Sequence, residues 1–212
     1  MSEKAEYKTV KKFSESLLVE KKSKFIADVF PVSSEEDALL KLGAVKKKYP
    51  DASHHVYAYS IDSNNIFRYS DDGEPSGTAG MPVLDTLRKE NIVDTLIVVT
   101  RYFGGTLLGT GGLVHAYGTS AKEGLKKSEI VTRTLCNRVY IKADYTLSGK
   151  LTHEISKSSY ILEDTVYDDK VTFVLLCKIS ETDRLVSDFT EITCGGAEIS
   201  VIDKEYVDLP SK

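Results

Sequence analysis

The chain is predicted to be α+β in two domains, residues 1–134 and 135–212, the second a ferredoxin-like βαββαβ unit. Three observations predict this. A β-branched and aromatic run, Thr95 to Phe103, empties into a glycine-rich stretch, Gly104 to Gly112, and then into a helical pattern. Hairpin-like pairs of apolar segments precede that run. From Val131 onward the order becomes strand, helix, strand, strand, helix, strand, the split βαβ arrangement.

Taken in order, Lys12 to Val32 reads as a hairpin, its apolar segments joined by the polar Lys21-Lys22-Ser23-Lys24 connection. Ser33 stands three residues before Glu36, a capping-box spacing that opens a helix. Leu39, Leu40 and Val45 supply part of its apolar stripe, and Tyr49-Pro50 ends it, because proline disfavours helix at the residue before it. His55 to Ile61 and Ile66 to Tyr69 read as paired strands turned by Ser63-Asn64-Asn65. Val83, Leu84 and Leu87 fit a short amphipathic helix, followed by the Thr95–Phe103 strand. The next helix is expected from about Leu113 to Lys127, with Lys126 and Lys127 suited to its carboxyl end.

In the second domain Leu135, Val139 and Ile141 mark a strand, and Leu147, Leu151 and Ile155 a helix. Ser159–Tyr167 and Val171–Ile179 read as strands linked tightly at Asp168-Asp169. Leu185, Val186 and Phe189 lie on a last helix, stopped by Gly195-Gly196, and Ala197–Tyr206 closes as a strand.

Composition narrows the function classes. With 41% hydrophobic and 28% charged residues the chain has the makings of a soluble globular protein. No apolar run approaches the ~18 residues of a membrane helix, and MSEKAEYKTVKKF lacks the apolar stretch of a secretory signal. Cys136, Cys177 and Cys194 are far apart and odd in number, which suits a reducing compartment and buried small hydrophobes. A cytoplasmic location without membrane contact is therefore expected, as are no metal and no cofactor. The net charge of −4 falls on residues 131–212, because residues 1–130 balance 18 basic against 18 acidic side chains. Broad nonspecific nucleic-acid binding by a basic domain is excluded, and any such contact must use a local patch.

Three constellations carry chemistry. The glycines at 104, 105, 109, 111 and 112 let backbone N–H groups turn toward a ligand, and the helix start behind them adds partial positive charge. Arg101, at the end of the strand that feeds them, suits bidentate anion binding. The same glycines also serve a plain tight turn and close helix packing. Thr110 and Gly111 stand where a P-loop needs Lys and Ser/Thr, and Val114 where a dinucleotide fingerprint needs its third glycine. In DDGEPSGTAGMP, Asp71, Asp72 and Glu74 are candidate acid/base groups or ligands of a hard cation, with Ser76 and Thr78 as helix caps or hydroxyl donors; a polar loop before a capped helix accounts for them as well. His54 and His55 point to opposite faces of a strand, so at most one shares a site with His115. No metal-ligand spacing and no Ser–His–Asp or Cys–His arrangement emerges from the sequence.

The phrases SDDGEPSGTAGMPVLDTL and VVTRYFGGTLLGTGGLVHAYGTSA, together with HHVYAYSI and KKSKFIADVFPV, resemble the YigZ/IMPACT family over most of residues 10–125. Residues 131–206 are similar in layout to the smaller second domain of its bacterial members. The motif positions carried over are Asp71, Asp72, Gly73, Glu74, Pro75, Ser76, Gly77, Thr78, Ala79 and Gly80 in one phrase. In the other they are Arg101, Tyr102, Phe103, Gly104, Gly105, Gly109, Gly111, Gly112 and Tyr117. His115 departs from the family's arginine and removes a permanent positive charge there. The resemblance implies a first domain like those of ribosomal proteins and elongation factors, with helices on one face of a mixed sheet. It implies a binding protein tied to translation or its regulation, touching RNA, the ribosome or a translation-associated protein. Eukaryotic members bind a co-activator of an initiation-factor kinase. Two alternatives stand beside it, a small-molecule or phosphate-ester enzyme built on Asp71-Asp72-Gly73-Glu74 and a protein-interaction module.

Overall fold

The computed structural model describes residues 4–63 and 65–210. Asn64, in the turn expected between the two middle strands, lies outside the described residues. The fold is α+β, and the chain divides into two compact units. One holds Tyr7–Thr132 with residues 208–210, the other Arg133–Val207 with residues 4–6. No helix among the described residues is long and apolar enough to cross a membrane.

A short strand, β1 (Glu6–Val10), opens the described chain and carries no clear signal in the sequence. The first unit continues with β2 (Ser14–Glu20), β3 (Ser23–Pro31), α1 (Glu35–Lys48), β4 (His54–Ile61), β5 (Ile66–Ser70), α2 (Gly80–Glu90), β6 (Thr95–Tyr102) and α3 (Gly109–Lys127). The sheet runs β2-β3-β6-β4-β5 with every pairing antiparallel. It therefore differs from the mixed sheet the resemblance implies, and its helices cover both faces. Ile97 and Val99 of the central β6 pack with α2 and α3, whereas Leu96 and Val98 pack with Ala38, Leu42 and Val45 of α1. A strand buried on both sides has no polar face, which is why Thr95–Phe103 reads as a continuous apolar run.

Local chemistry sets the boundaries. The β2–β3 hairpin turns on Lys21 and Lys22 alone, at φ 44° and 70°, the left-handed backbone of a tight two-residue turn. Ser34, not Ser33, caps α1: its Oγ accepts from Asp37 N–H at 3.2 Å, and the Asp37 carboxylate returns to Ser33 N–H at 3.1 Å. The cap is the expected one moved by one residue, except that the carboxylate at the third helical position reaches the N–H of the residue before the cap. α3 begins at Gly109, four residues before the expected start. Glycine is a poor helix former, but burial of Leu113, Ala116, Tyr117, Ala121 and Leu125 carries the helix back through it.

The second unit contains β7 (Ile130–Ala143), α4 (Tyr145–Lys157), β8 (Ile161–Tyr167), β9 (Val171–Lys178), α5 (Thr182–Ile192) and β10 (Ala197–Pro210). β7 pairs with β9, β9 with β8, and β10 with β7, the strand order of a ferredoxin-like sheet; β1 also joins this sheet, beside β7. Val139, Ile141, Phe173 and Leu175 pack against Leu151, Ile155, Leu185 and Phe189 of the helices. Arg138 ties three strands by donating to Glu163, Asp203 and Glu205. Cys136 and Cys177 are buried as expected, but Cys194 is exposed, because it sits at φ 51° in the turn after α5.

Candidate functional site

Alternation along β6 places Arg101 on the same face as Ile97 and Val99, beneath α3. Antiparallel register sets Phe25 of β3 opposite it on one side and His54 of β4 on the other. Tyr117 of α3 closes the row from above, its ring edge-on to Phe25 with centroids 5.1 Å apart. Arg101 is only 5% exposed, so it cannot stand without a counter-charge. Glu74 supplies it. One oxygen, Oε1, accepts from Arg101 Nη1 at 2.5 Å and from the Tyr117 hydroxyl at 2.8 Å. Burial and the adjacent carboxylate push the Tyr117 phenol far up, so it stays a donor. Among the described residues no donor reaches Oε2, which is not sealed from solvent, whereas Arg101 Nε is buried without an acceptor. The guanidinium packs near Phe25 and Phe103, 5.4 and 5.6 Å from their ring centres. Arg101 is thus held inside rather than extended toward solvent, because a buried carboxylate outcompetes water for it.

The loop that delivers Glu74 is fixed by its two neighbouring carboxylates. Asp71 accepts from Gly77, Ala79 and Gly80 N–H at 2.9, 3.0 and 2.8 Å, and so performs the capping of α2 expected of Ser76 or Thr78. Ser76 is exposed, and Thr78 donates to the Pro75 carbonyl at 2.6 Å. Asp72 accepts from His55 N–H at 2.6 Å, and its carbonyl accepts from His54 Nδ1 at 2.8 Å. The three carboxylates serve three separate jobs, and the described residues contain no group of three or more metal-ligating side chains.

The two histidines part as strand geometry requires. His55 turns away, its Nε2 donating to the Tyr49 carbonyl at 2.9 Å. His54 keeps its proton on Nδ1 for the Asp72 carbonyl, leaving Nε2 3.9 Å from Glu74 Oε1. His54, Glu74 and Arg101 form the floor of a cleft of about 460 Å³. Pro75, Phe103, Leu107, Leu108 and Leu113 give it apolar walls, and Gly109 and Thr110, in the first turn of α3, reach its rim. Leu108 provides no side-chain cap to that turn. The DDGEP loop and the glycine-rich segment therefore line one cleft.

Gly104 explains how the rim is assembled. A Cβ there would lie 2.1 Å from the Lys22 carbonyl carbon, so only glycine lets the β2–β3 turn pack on the end of β6. Ser23 Oγ accepts from Gly104 N–H at 3.1 Å. Lys21 and Lys22 are exposed in the turn that packs on Gly104, and Lys24, opposite Tyr102, is exposed at the same end of the sheet but on its other face; among the described residues none has an acidic partner. Phe103 is 49% and Leu107 83% exposed. Gly105, Gly109 and Gly111 are exposed and Gly112 partly so; Tyr102 instead donates to Asp51 at 2.9 Å. His115 is exposed on α3 beside a separate groove shared with α2, away from the cleft. The sequence marks Lys21-Lys22-Ser23-Lys24 only as a polar connection; three lysines within four residues were the available signal.

Comparison with known proteins bears on the whole chain. Residues 21–125 match the model of the Impact N-terminal domain, and residues 141–195 that of a domain of unknown function (DUF1949). The chain is 40% identical over 203 residues to the IMPACT family member YvyE of Bacillus subtilis, covering 95% of this chain and 94% of that one. It is 32% identical to the IMPACT family member YigZ of Escherichia coli, covering 80% and 86% respectively. The mouse Protein IMPACT is 32% identical over 102 residues, 46% of this chain and 32% of its own. A solved structure titled "Crystal structure of an hypothetical protein" superposes with a TM-score of 0.60 at 26% identity, over 95% of this chain and all of the other.

Proposed function

This chain belongs to the IMPACT family, and from that premise we propose that it is a binding protein of the translation machinery that contacts single-stranded RNA at the rim above the cleft. The observation that carries this reading is the meeting, at one end of the antiparallel sheet, of three unpaired lysines, an exposed aromatic ring and an uncapped helix start. Lys21, Lys22 and Lys24 supply charge for phosphates, Phe103 a stacking platform, and the first turn of α3 unsatisfied N–H groups for a further phosphate oxygen. Arg101 acts indirectly in this reading. Its pair with Glu74 anchors the end of β6, from which Phe103 and Gly104 emerge.

Titration of a fluorescent single-stranded RNA at low salt tests the reading. Binding is expected, weaker as salt rises and weaker in the variants Lys22→Glu and Phe103→Ala. These side chains are exposed, so the fold is expected to survive both changes. Undetectable binding at low salt, or binding indifferent to both variants, would end this assignment.

A further inference from the structure

The cleft beneath the rim holds more than the RNA reading uses. Glu74 is 9% exposed and lines it, and among the described residues no donor reaches Oε2. That oxygen is not sealed from solvent, unlike Arg101 Nε, so it faces the cleft as an acceptor open to a donor on something that enters. In its neutral form His54 offers Nε2 as an acceptor, because Nδ1–H is donated to the Asp72 carbonyl. The floor then presents two acceptors, with His54 Nε2 3.9 Å from the other oxygen of the same carboxylate, Oε1. Its formal charges cancel, because Glu74 is matched by Arg101.

These features select the occupant. An ammonium would meet the Arg101 guanidinium below and the positive end of α3 at the rim, so a cation is disfavoured. A neutral edge with two adjacent N–H donors fits the floor, and flat faces fit between Phe103 and the leucine wall. A phosphate attached to such a group would lie near the free N–H groups of Gly109 and Thr110. Among the nucleobases only guanine presents two neighbouring donors, N1–H and the 2-amino group, on its pairing edge. Adenine and cytosine each place a ring acceptor beside their amino donor, and uracil flanks its single N–H with two carbonyls. An acceptor facing Glu74 Oε2 is repelled.

We infer that the cleft is a guanine-binding site, which receives the base between Phe103 and Leu107 and reads its donor edge with Glu74 and His54. The inference rests on the RNA reading only for the source of the base. A free guanine nucleotide and an unstacked guanine within RNA share the chemistry. The volume of about 460 Å³ accommodates either.

The test uses the full chain and two sets of probes. Calorimetry with GMP, AMP, CMP and UMP reads free nucleotides. Short oligouridylates carrying one central guanosine or one central adenosine read the base within RNA. A preference for guanine of about tenfold or more is expected in at least one set, the discrimination typical of a donor–acceptor match at one base. Glu74→Gln, which turns an acceptor into a donor, should abolish that preference. If this buried substitution unfolds the protein, Phe103→Ala at an exposed position should still weaken guanine binding several-fold while leaving the melting curve unchanged. GMP binding without RNA binding supports the cleft site and removes the RNA reading. RNA binding with equal affinity for both oligomers, and no binding of GMP, overturns the guanine site and leaves the RNA reading standing. Absence of both overturns both.

Discussion

Glu74 holds a guanidinium and a phenol through one oxygen, inside a wall that excludes most water. Removing the carboxylate alone strands the positive charge of Arg101. Glu74→Leu is therefore expected to lower stability by about 3–5 kcal/mol, whereas the pair Glu74→Leu with Arg101→Met should recover much of the loss. Urea denaturation of the three proteins checks this, and strict additivity would contradict it. A second buried carboxylate behaves in the opposite sense. Burial pushes Asp28 up to about 6 from the usual 3.8, and only Lys48, 3.4 Å from Oδ1, offsets it. Its folded pKa lies above its unfolded one, so its contribution is full below about pH 4 and is lost as pH rises through 6. Asp28→Asn should remove that slope and stabilise the protein at pH 7.5 by about 1–2 kcal/mol, since it avoids ionising a buried carboxyl, a pKa unit being worth about 1.4 kcal/mol, and forgoes part of the Lys48 pair. Denaturation midpoints at pH 4.5 and pH 7.5 decide it. Both Arg101 and Glu74 stood out in the sequence as chemistry-bearing. Their mutual pairing did not, because it joins positions 27 residues apart and depends on which face of β6 meets α3.

At the scale of the element, one side chain organises the turn into α2. Asp71 accepts from the N–H of Gly77 in the loop, of the cap residue Ala79 and of Gly80, the first residue of α2. Asp71→Ala is expected to cost about 2 kcal/mol, the upper end for a helix cap, and to speed hydrogen exchange at the amides of Ala79 and Gly80. Unchanged exchange there would assign the capping elsewhere. The elements themselves were legible wherever burial set the pattern, as in the continuous apolar run of β6 and the buried face of α3. They were less legible where a local bond decided the boundary. Ser33 and Ser34 are equivalent in composition, and only the reach of Asp37 back to Ser33 selects the second as the cap. The start of α3 was displaced for a related reason. Glycines at 109, 111 and 112 argue against helix locally, and the packing that overrides them lies on the other side of the sheet register.

For the whole molecule, charge is the property that the sequence expresses most directly and the fold then redistributes. Residues 1–130 are balanced overall, yet Lys21, Lys22 and Lys24 gather at one end of the sheet, the first two in the turn that packs on Gly104 and the third on the opposite face. An acidic protein with three clustered lysines should bind RNA through few phosphates. About three contacts on a single strand give a slope near −2 for log affinity against log salt, or roughly a fifteenfold loss between 50 and 200 mM. Replacing Lys22 by Glu should flatten that slope by removing one contact. A measured slope of about −6 or steeper would require a basic surface far wider than these three lysines provide, and would move the RNA interface away from the glycine-bearing end of the sheet. A slope near zero with retained affinity would instead assign binding to stacking and base-edge contacts alone, with the lysines as spectators.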